Sequence, residues 1–250
     1  MRQEKKRLKD LTDDYFEELE HVARYRLHPE NLSGFFMITL FASLLFGGIP
    51  LYIYLAYDIN YPIFEWAMQA FIASTLITAV LLVVFWKPEV AMKYQKIQVL
   101  FLPFVAIKIG LDPFTFYLLM CADRDLHYSF SLLGLFVIAV GLLLLAYATW
   151  RAFRRVRAGH LREGGRGIYD FANSRAEMSF TGFAGFALMG GAIPKILEGQ
   201  VYGENIEALV FLTIVCFIYI PIVIALPEFI LLAYCKCKYK RFIVKERFGE

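Results

Sequence analysis

The residues best suited to chemistry are two opposite charges inside an apolar stretch, Lys108 and Asp112. A charge near the centre of a bilayer costs about 2.5–3.5 kcal/mol even on insertion-based scales, so it needs a counter-charge or a function. Residues four positions apart share one face of a helix and can pair. We therefore predict a substrate or ion site at Lys108 and Asp112. The alternatives are a structural ion pair inside a helix bundle, and a tilted or re-entrant segment in which Lys108 reaches the membrane surface.

The same stretch carries signals that end and start helices. Gly110 is typical of a helix end, and Asp112 followed by Pro113 is typical of a helix start. We predict helix breaks at Gly110 and Pro113, with a short non-helical link between two helical pieces. Broken helices near mid-membrane form the ion and substrate sites of many transporters.

A further acid, Glu228, follows two prolines in the last apolar stretch. Pro221 and Pro227 each remove a backbone donor, so we predict that both disturb the helix and count them among its breaks. An acid beside a kink is suited to gating or to binding a cation, and we include Glu228 in the predicted site. The alternative is a glutamate near the membrane surface on a long tilted helix.

Four arginines follow the fourth apolar stretch: Arg151, Arg154, Arg155 and Arg157. Clustered arginines next to a membrane helix bind the phosphate of anionic lipids. We predict a contact with lipid headgroups there. The alternative is that these arginines only fix the orientation of the chain in the membrane.

No set of residues matches a known catalytic arrangement, so we predict no enzyme activity, no metal and no cofactor. The four cysteines include no Cys-x-x-Cys pair. The four histidines lack the His-Glu-x-x-His spacing of zinc proteases, and the chain contains no Gly-x-Ser-x-Gly. The net charge is only +3, and nothing in the sequence indicates nucleic-acid binding.

Six long apolar stretches must hold these residues in place. The chain is 59% hydrophobic and 20% charged, and its apolar residues fall in long blocks. About 20 apolar residues in a helix cross the roughly 30 Å of hydrocarbon, and in lipid a helix satisfies its own backbone. We predict an all-α bundle in a transmembrane domain at 31–235, with six spans at 34–57, 66–86, 97–121, 129–150, 178–197 and 208–235.

The placement of Lys and Arg predicts the orientation of these spans. Segments 1–33, 87–96, 151–178 and 236–250 hold 7, 3, 7 and 6 of the 26 Lys and Arg residues, whereas the loops on the other side hold only Arg124. Because cytoplasmic loops are enriched in these residues, we predict that both termini are cytoplasmic. The basic tail at 236–250 would then lie inside, and the short loops suit a bacterial plasma membrane.

Residues 1–30 are predicted to form a cytoplasmic amphipathic helix. Apolar residues recur there at three- and four-residue steps, which produces one apolar stripe. Its members are Leu8, Leu11, Tyr15, Leu19 and Val22. Such a stripe must be buried against the membrane surface, the rest of the protein or a partner.

The fifth apolar stretch contains pairs of small residues, Thr181 with Gly185 and Ala187 with Gly191. Pairs at this spacing allow two membrane helices to approach closely. We predict packing within the chain, with the seam of a homodimer as the alternative. The expected partners are the lipid bilayer and either a second copy or another membrane or cytoplasmic subunit.

Two functions are consistent with these features. The first is a small transporter, permease subunit or channel, with Lys108 and Asp112 as its polar site and Glu228 as a coupling or gating acid. The second is a non-transporting accessory, assembly or immunity subunit that binds another membrane protein. A cavity that reaches the charged pair would favour the first, and a closed pair without a cavity would favour the second.

Overall fold

A computed structural model describes residues 13–25, 27–57, 59–124, 126–162 and 203–244. This described part is helical and contains no strand, as the sequence predicts. The fifth predicted span at 178–197, with its small-residue pairs, lies outside the described residues. The first 12 residues and the end of the basic tail, from 245 onward, lie outside them as well.

Seven α-helices make up the described part. Three of them begin with a proline in the first turn, where a missing backbone donor costs nothing. The helices are α1 (Glu17–Arg24), α2 (Pro29–Ala56), α3 (Pro62–Phe85), α4 (Pro88–Lys93), α5 (Gln95–Asp123), α6 (Tyr128–Arg157) and α7 (Gly203–Lys238), with short 3-10 turns at Asp13–Phe16 and Lys240–Phe242.

Five of these helices are long and apolar enough to cross a membrane. They are α2, α3, α5, α6 and α7, and their apolar spans are 24 to 34 residues long. At 1.5 Å per residue the shortest is about 36 Å, which exceeds the roughly 30 Å of bilayer hydrocarbon. The described part is thus all-α, the chain is a membrane-embedded protein, and α2, α3, α5, α6 and α7 correspond to five of the six predicted spans.

Helix α5 is the centre of the bundle. In the most apolar 18-residue stretch of α5, 56% of the residues are buried, whereas the corresponding stretches of the other four spans are 17–28% buried. It packs against α2, α3, α6 and α7. The helix that carries Lys108 and Asp112 is therefore the most buried of the five described spans.

The predicted helix breaks are corrected by the structure. Helix α5 continues through Gly110 and Pro113, and α7 continues through Pro221 and Pro227. Membrane helices tolerate proline because neighbouring groups satisfy the backbone that it frees. Gly110 serves helix packing instead, since a Cβ atom there would lie 3.0 Å from the ring of Tyr219 on α7.

Tyr219 joins three helices on the side of α5 that faces α7. Its ring lies against Gly110 of α5 and Gly141 of α6, and a Cβ atom on Gly141 would overlap it. Its hydroxyl donates a hydrogen bond to the carbonyl of Ile138 on α6 (3.2 Å). The two glycines thus make room for one large, fully buried side chain.

The amphipathic helix α1 packs on the rest of its own protein, at the end of the bundle where α7 ends. Phe16 and Leu19 are buried, and the ring of Phe16 lies 5.4 Å from that of Tyr239. Arg241, in the turn after α7, forms ion pairs with Glu17 (3.6 Å) and with Glu20. The sequence allowed the apolar stripe to be buried against the membrane surface, the rest of the protein or a partner. The described part of the stripe is buried against the rest of the protein.

Candidate functional site

The site begins with the face that α2 turns toward α5. Thr39, Ser43 and Gly47 follow one another at four-residue steps, and all three are buried. This spacing places them in one row along the helix. On α5, Lys108 and Asp112 are also four residues apart and lie on one face of an unbroken helix. The two rows bring a hydroxyl against a pair of opposite charges.

Lys108 and Asp112 form a buried ion pair. The Lys108 Nζ atom lies 2.7 Å from Oδ2 and 2.9 Å from Oδ1 of Asp112, and both side chains are 3% exposed. Lys108 also donates to the Ser43 hydroxyl (2.6 Å). The single hydroxyl proton of Ser43 has two acceptors in reach, Oδ2 of Asp112 at 2.5 Å and the Thr39 carbonyl at 2.8 Å. Close pairing of this kind offsets the cost of taking both charges out of water.

An aromatic ring completes the surroundings of the ammonium group. The ring centre of Phe71 on α3 lies 4.8 Å from Lys108 Nζ, which is cation–π range. Gly47 on α2 allows this approach, because a Cβ atom at that position would overlap the Phe71 ring. The ammonium group is therefore surrounded by a carboxylate, a hydroxyl and an aromatic face.

A cavity of about 630 Å³ opens beside the pair, between α3, α5 and α6. This volume is typical of small-molecule sites. Both Lys108 and Asp112 line it, so neither charge is closed off from it. Ser74 and Thr115 add two hydroxyls. The rest of the wall is apolar and includes four aromatic side chains: Trp66, Phe71, Phe104 and Phe114.

The structure separates Glu228 from the predicted site. Lys108 and Asp112 come together as predicted, whereas Glu228 is half-buried and is not among the described residues that line the cavity. Its neighbour Phe229 packs on Phe35 of α2, with ring centres 6.1 Å apart. A coupling role for Glu228 would therefore have to act from outside the cavity.

Sequence reasoning missed Ser43 and Phe71. Ser43 was detectable in principle, because Thr39, Ser43 and Gly47 form a row of small and polar residues in an otherwise apolar helix. Phe71 had no such signal, since it is one of many aromatic residues in the spans. Its importance comes only from its position over Lys108.

The predicted arginine cluster lines a second cavity of about 400 Å³ at the end of α6. Its described lining consists of Tyr147, Trp150, Arg151, Arg154, Arg155, Ala158 and His160. The Arg154 guanidinium lies 5.6 Å from the Trp150 ring centre. Arg157 is exposed and is not part of this lining. Basic groups beside aromatic rings are suited to the phosphate and upper chain region of a lipid.

Comparison with known proteins identifies no relative: no protein-family model, no curated protein sequence and no solved structure matches the chain. A bundle of membrane helices hosts many unrelated activities, so fold alone does not indicate one. The function therefore has to be argued from the residues of the site.

Proposed function

We propose that this protein is a small transporter that binds a solute with a charged group and an apolar body in the cavity at Lys108 and Asp112. The observation that carries the proposal is that both members of a mid-helix ion pair line a cavity of about 630 Å³. Charges inside membrane bundles commonly mark pathways for solutes or protons. The apolar walls favour a carrier over a channel, because an ion needs polar groups along its whole path.

We further propose six spans in a bacterial plasma membrane, with both termini cytoplasmic. Arg162, after α6, stacks on Tyr15 beside α1 (3.7 Å), so α6 ends beside α1. Helix α7 begins at the opposite end, where Glu207 pairs with Arg124 at the end of α5. The chain from residue 162 to residue 203 must lead from one end to the other, which supports the sixth crossing.

The thiol of Cys237 provides a test of this orientation. It is exposed in the last turn of α7, whereas Cys121 and Cys235 are buried. A membrane-impermeant maleimide should label Cys237 in inverted vesicles and not in intact cells. An Asp123→Cys variant, with Cys237→Ser as background, should show the reverse. Labelling of both positions from the same face would contradict the proposed topology.

The second candidate is a non-transporting accessory, assembly or immunity subunit that binds another membrane protein. The observation that favours it is the closed set of bonds among Ser43, Lys108 and Asp112, as expected of a purely structural pair. The packing of α1 on its own protein argues against this second candidate, because Phe16 and Leu19 are already buried and are not free to bind a partner. The lack of enzyme activity stays a prediction under either candidate.

Reconstitution into liposomes distinguishes the two candidates. Solutes that raise the melting temperature of the purified protein would be tested for uptake with the wild type and with a Lys108→Met/Asp112→Leu double variant. We expect wild-type uptake and its loss in the folded double variant. A Thr213→Val variant is the control, since that hydroxyl is not part of the described cavity lining and donates to the Leu209 carbonyl of its own helix (2.8 Å). Equal uptake in all three proteins, or none in any, would contradict transport through this site.

A further inference from the structure

The surroundings of Lys108 form a site for a positive charge that one of the chain's own side chains occupies. Its ammonium group contacts both oxygens of Asp112, the hydroxyl of Ser43 and the face of Phe71. A carboxylate, a hydroxyl oxygen and the negative face of an aromatic ring all attract cations. Three further aromatic side chains line the cavity directly beside this group: Trp66, Phe104 and Phe114.

We propose that the cavity binds an organic cation, and that this cation replaces the ammonium of Lys108 at Asp112 in exchange for the lysine's proton. This inference rests on the proposed function and names its substrate class. The cation would be an amine or quaternary ammonium compound with an apolar body. Its charge would occupy the position between Asp112 and Phe71, and its body would lie against the apolar wall.

The chemistry of the wall excludes other classes of ligand. Among hard metal cations, Ca²⁺ takes about six to eight oxygen ligands and Mg²⁺ keeps several waters. The described cavity wall offers few oxygens, those of Asp112, Ser74 and Thr115. An anion would lie against the Asp112 carboxylate and the negative faces of the aromatic rings. An organic cation is the class that both the apolar wall and the carboxylate accept.

Charge balance explains why cation binding should release the ammonium proton of Lys108. The pair is neutral as it stands, and a second cation would leave one uncompensated charge in a low-dielectric site. If the Lys108 ammonium releases its proton to water, the neutral amine and the cation–carboxylate pair again sum to zero. One proton therefore leaves for each cation that binds, no covalent bond other than N–H breaks, and no oxidant or reductant takes part.

No other described charge faces the pair. Helix α2 contributes Ser43 to it, and α3 contributes Phe71. The side chains of α6 that line the cavity are apolar: Leu135 and Ile138. On α7, the hydroxyl of Tyr219 donates its proton to the carbonyl of Ile138, and the ring lies against Gly110. Among the described residues, Lys108 and Asp112 are thus the two groups that can exchange a proton at the cavity.

Two probes of similar shape and opposite charge test the proposal. The wild-type protein in lipid nanodiscs would be titrated calorimetrically with tetraphenylphosphonium and with tetraphenylborate, with empty nanodiscs subtracted. Titrations in two buffers of different ionisation enthalpy report the protons released. We expect saturable phosphonium binding with release of about one proton per cation. Tighter binding of the borate, or phosphonium binding without proton release, would overturn the proposal.

Three variants separate the exchange from mere hydrophobic binding. Lys108→Arg keeps a cation and its pairing but cannot give up a proton, so phosphonium binding should be lost. Phe71→Leu keeps an apolar wall and should weaken binding by roughly 2- to 30-fold. Phe41→Leu, on a side chain that is 69% exposed on α2, is the matched control and should change nothing. Wild-type affinity in the Lys108→Arg variant would overturn the proposal even if the other variants fail to fold.

The outcome is independent of the transport assay. Phosphonium binding with proton release and without any uptake into liposomes would support the cation site and contradict transport. Uptake of a solute without proton release would support transport and overturn the exchange.

Discussion

The hydroxyl of Ser43 on α2 lies 2.5 Å from Oδ2 of Asp112 on α5, and it accepts a hydrogen bond from Lys108 at 2.6 Å. One small side chain therefore touches both charges from a second helix. Ser43 is fully buried, so this contact lies in the interior of the bundle. The hydroxyl bonds to both charges and joins α2 to the central helix.

Removing this hydroxyl should cost little stability. We expect Ser43→Ala to lower the free energy of unfolding by about 0.6–1.7 kcal/mol, the range found for hydrogen bonds between membrane helices. Unfolding in mixed detergent measures the change, with Thr213→Val as the control. A loss several times larger would mean that Ser43 supports the pair's geometry and not only one bond.

The ion pair should show strong coupling between its two members. Lys108→Met or Asp112→Leu alone should destabilise the protein by about 3–5 kcal/mol, because each leaves an uncompensated buried charge. The double variant should recover most of that loss, because it removes both charges. Unfolding free energies of the four proteins form a double-mutant cycle. Additive losses would show that the charges act independently.

The helical bundle and the ion pair could be predicted from the sequence because both depend on local spacing. The predicted breaks at Gly110 and Pro113 were wrong because rules for helix ends come from proteins in water. In lipid a freed backbone group has no water to bind, which favours a continuous helix. The space around Gly110 is filled by Tyr219, which is more than 100 positions away in the sequence.

The parts of the site that come from other helices could not be predicted. Ser43 is 65 residues from Lys108 in the sequence, and Phe71 belongs to yet another helix. The cavity depends on how α3 and α6 stand on either side of α5, and apolar periodicity carries no information about that arrangement. Glu228 was assigned to the site because it is an acid beside two prolines, and it is not among the described residues that line the cavity.

Two adjacent glycines on α2 should respond differently to the same change. A methyl group at Gly47 would overlap the Phe71 ring, whereas one at Gly48 meets nothing within 4 Å. We expect Gly47→Ala to cost about 1–3 kcal/mol, as overpacking does, and to weaken cation binding by moving the ring away from Lys108. Gly48→Ala should be neutral or slightly stabilising. Thermal melts and phosphonium titrations of both variants check this, and equal behaviour would contradict the packing shown here.

The contact between Arg241 and helix α1 should hold the amphipathic helix on the end of the bundle where α7 ends. Arg241→Ala removes the pairs with Glu17 and Glu20, and we expect faster amide hydrogen exchange in α1 with a stability loss of up to about 1 kcal/mol. The neighbouring exposed residue, Lys240, provides the control as Lys240→Ala. Unchanged hydrogen exchange in the Arg241 variant would mean that the buried side chains of Phe16 and Leu19 are sufficient to hold α1 in place.

The arginine-lined cavity at the end of α6 should retain anionic lipid. We expect Arg154→Ala to lower the retention of phosphatidylglycerol by roughly fivefold, since one basic group near a membrane surface is worth about 1 kcal/mol. Native mass spectrometry of protein purified in mild detergent measures the bound lipid. Lys96→Ala, at an exposed basic residue on α5, should leave retention unchanged. Equal losses in both variants would indicate unspecific attraction by net charge.

The docking of α1 also has a consequence for biosynthesis. The groups that hold Phe16 and Glu20 are Tyr239 and Arg241, which leave the ribosome more than 200 residues later. During translation, the surface that α1 packs on is therefore incomplete when α1 is made. Until that surface forms, we expect the apolar side of α1 to be covered by a chaperone or by the lipid surface. Packing of α1 therefore has to follow synthesis of residues 239–241, and a chain truncated before residue 239 would leave that side uncovered.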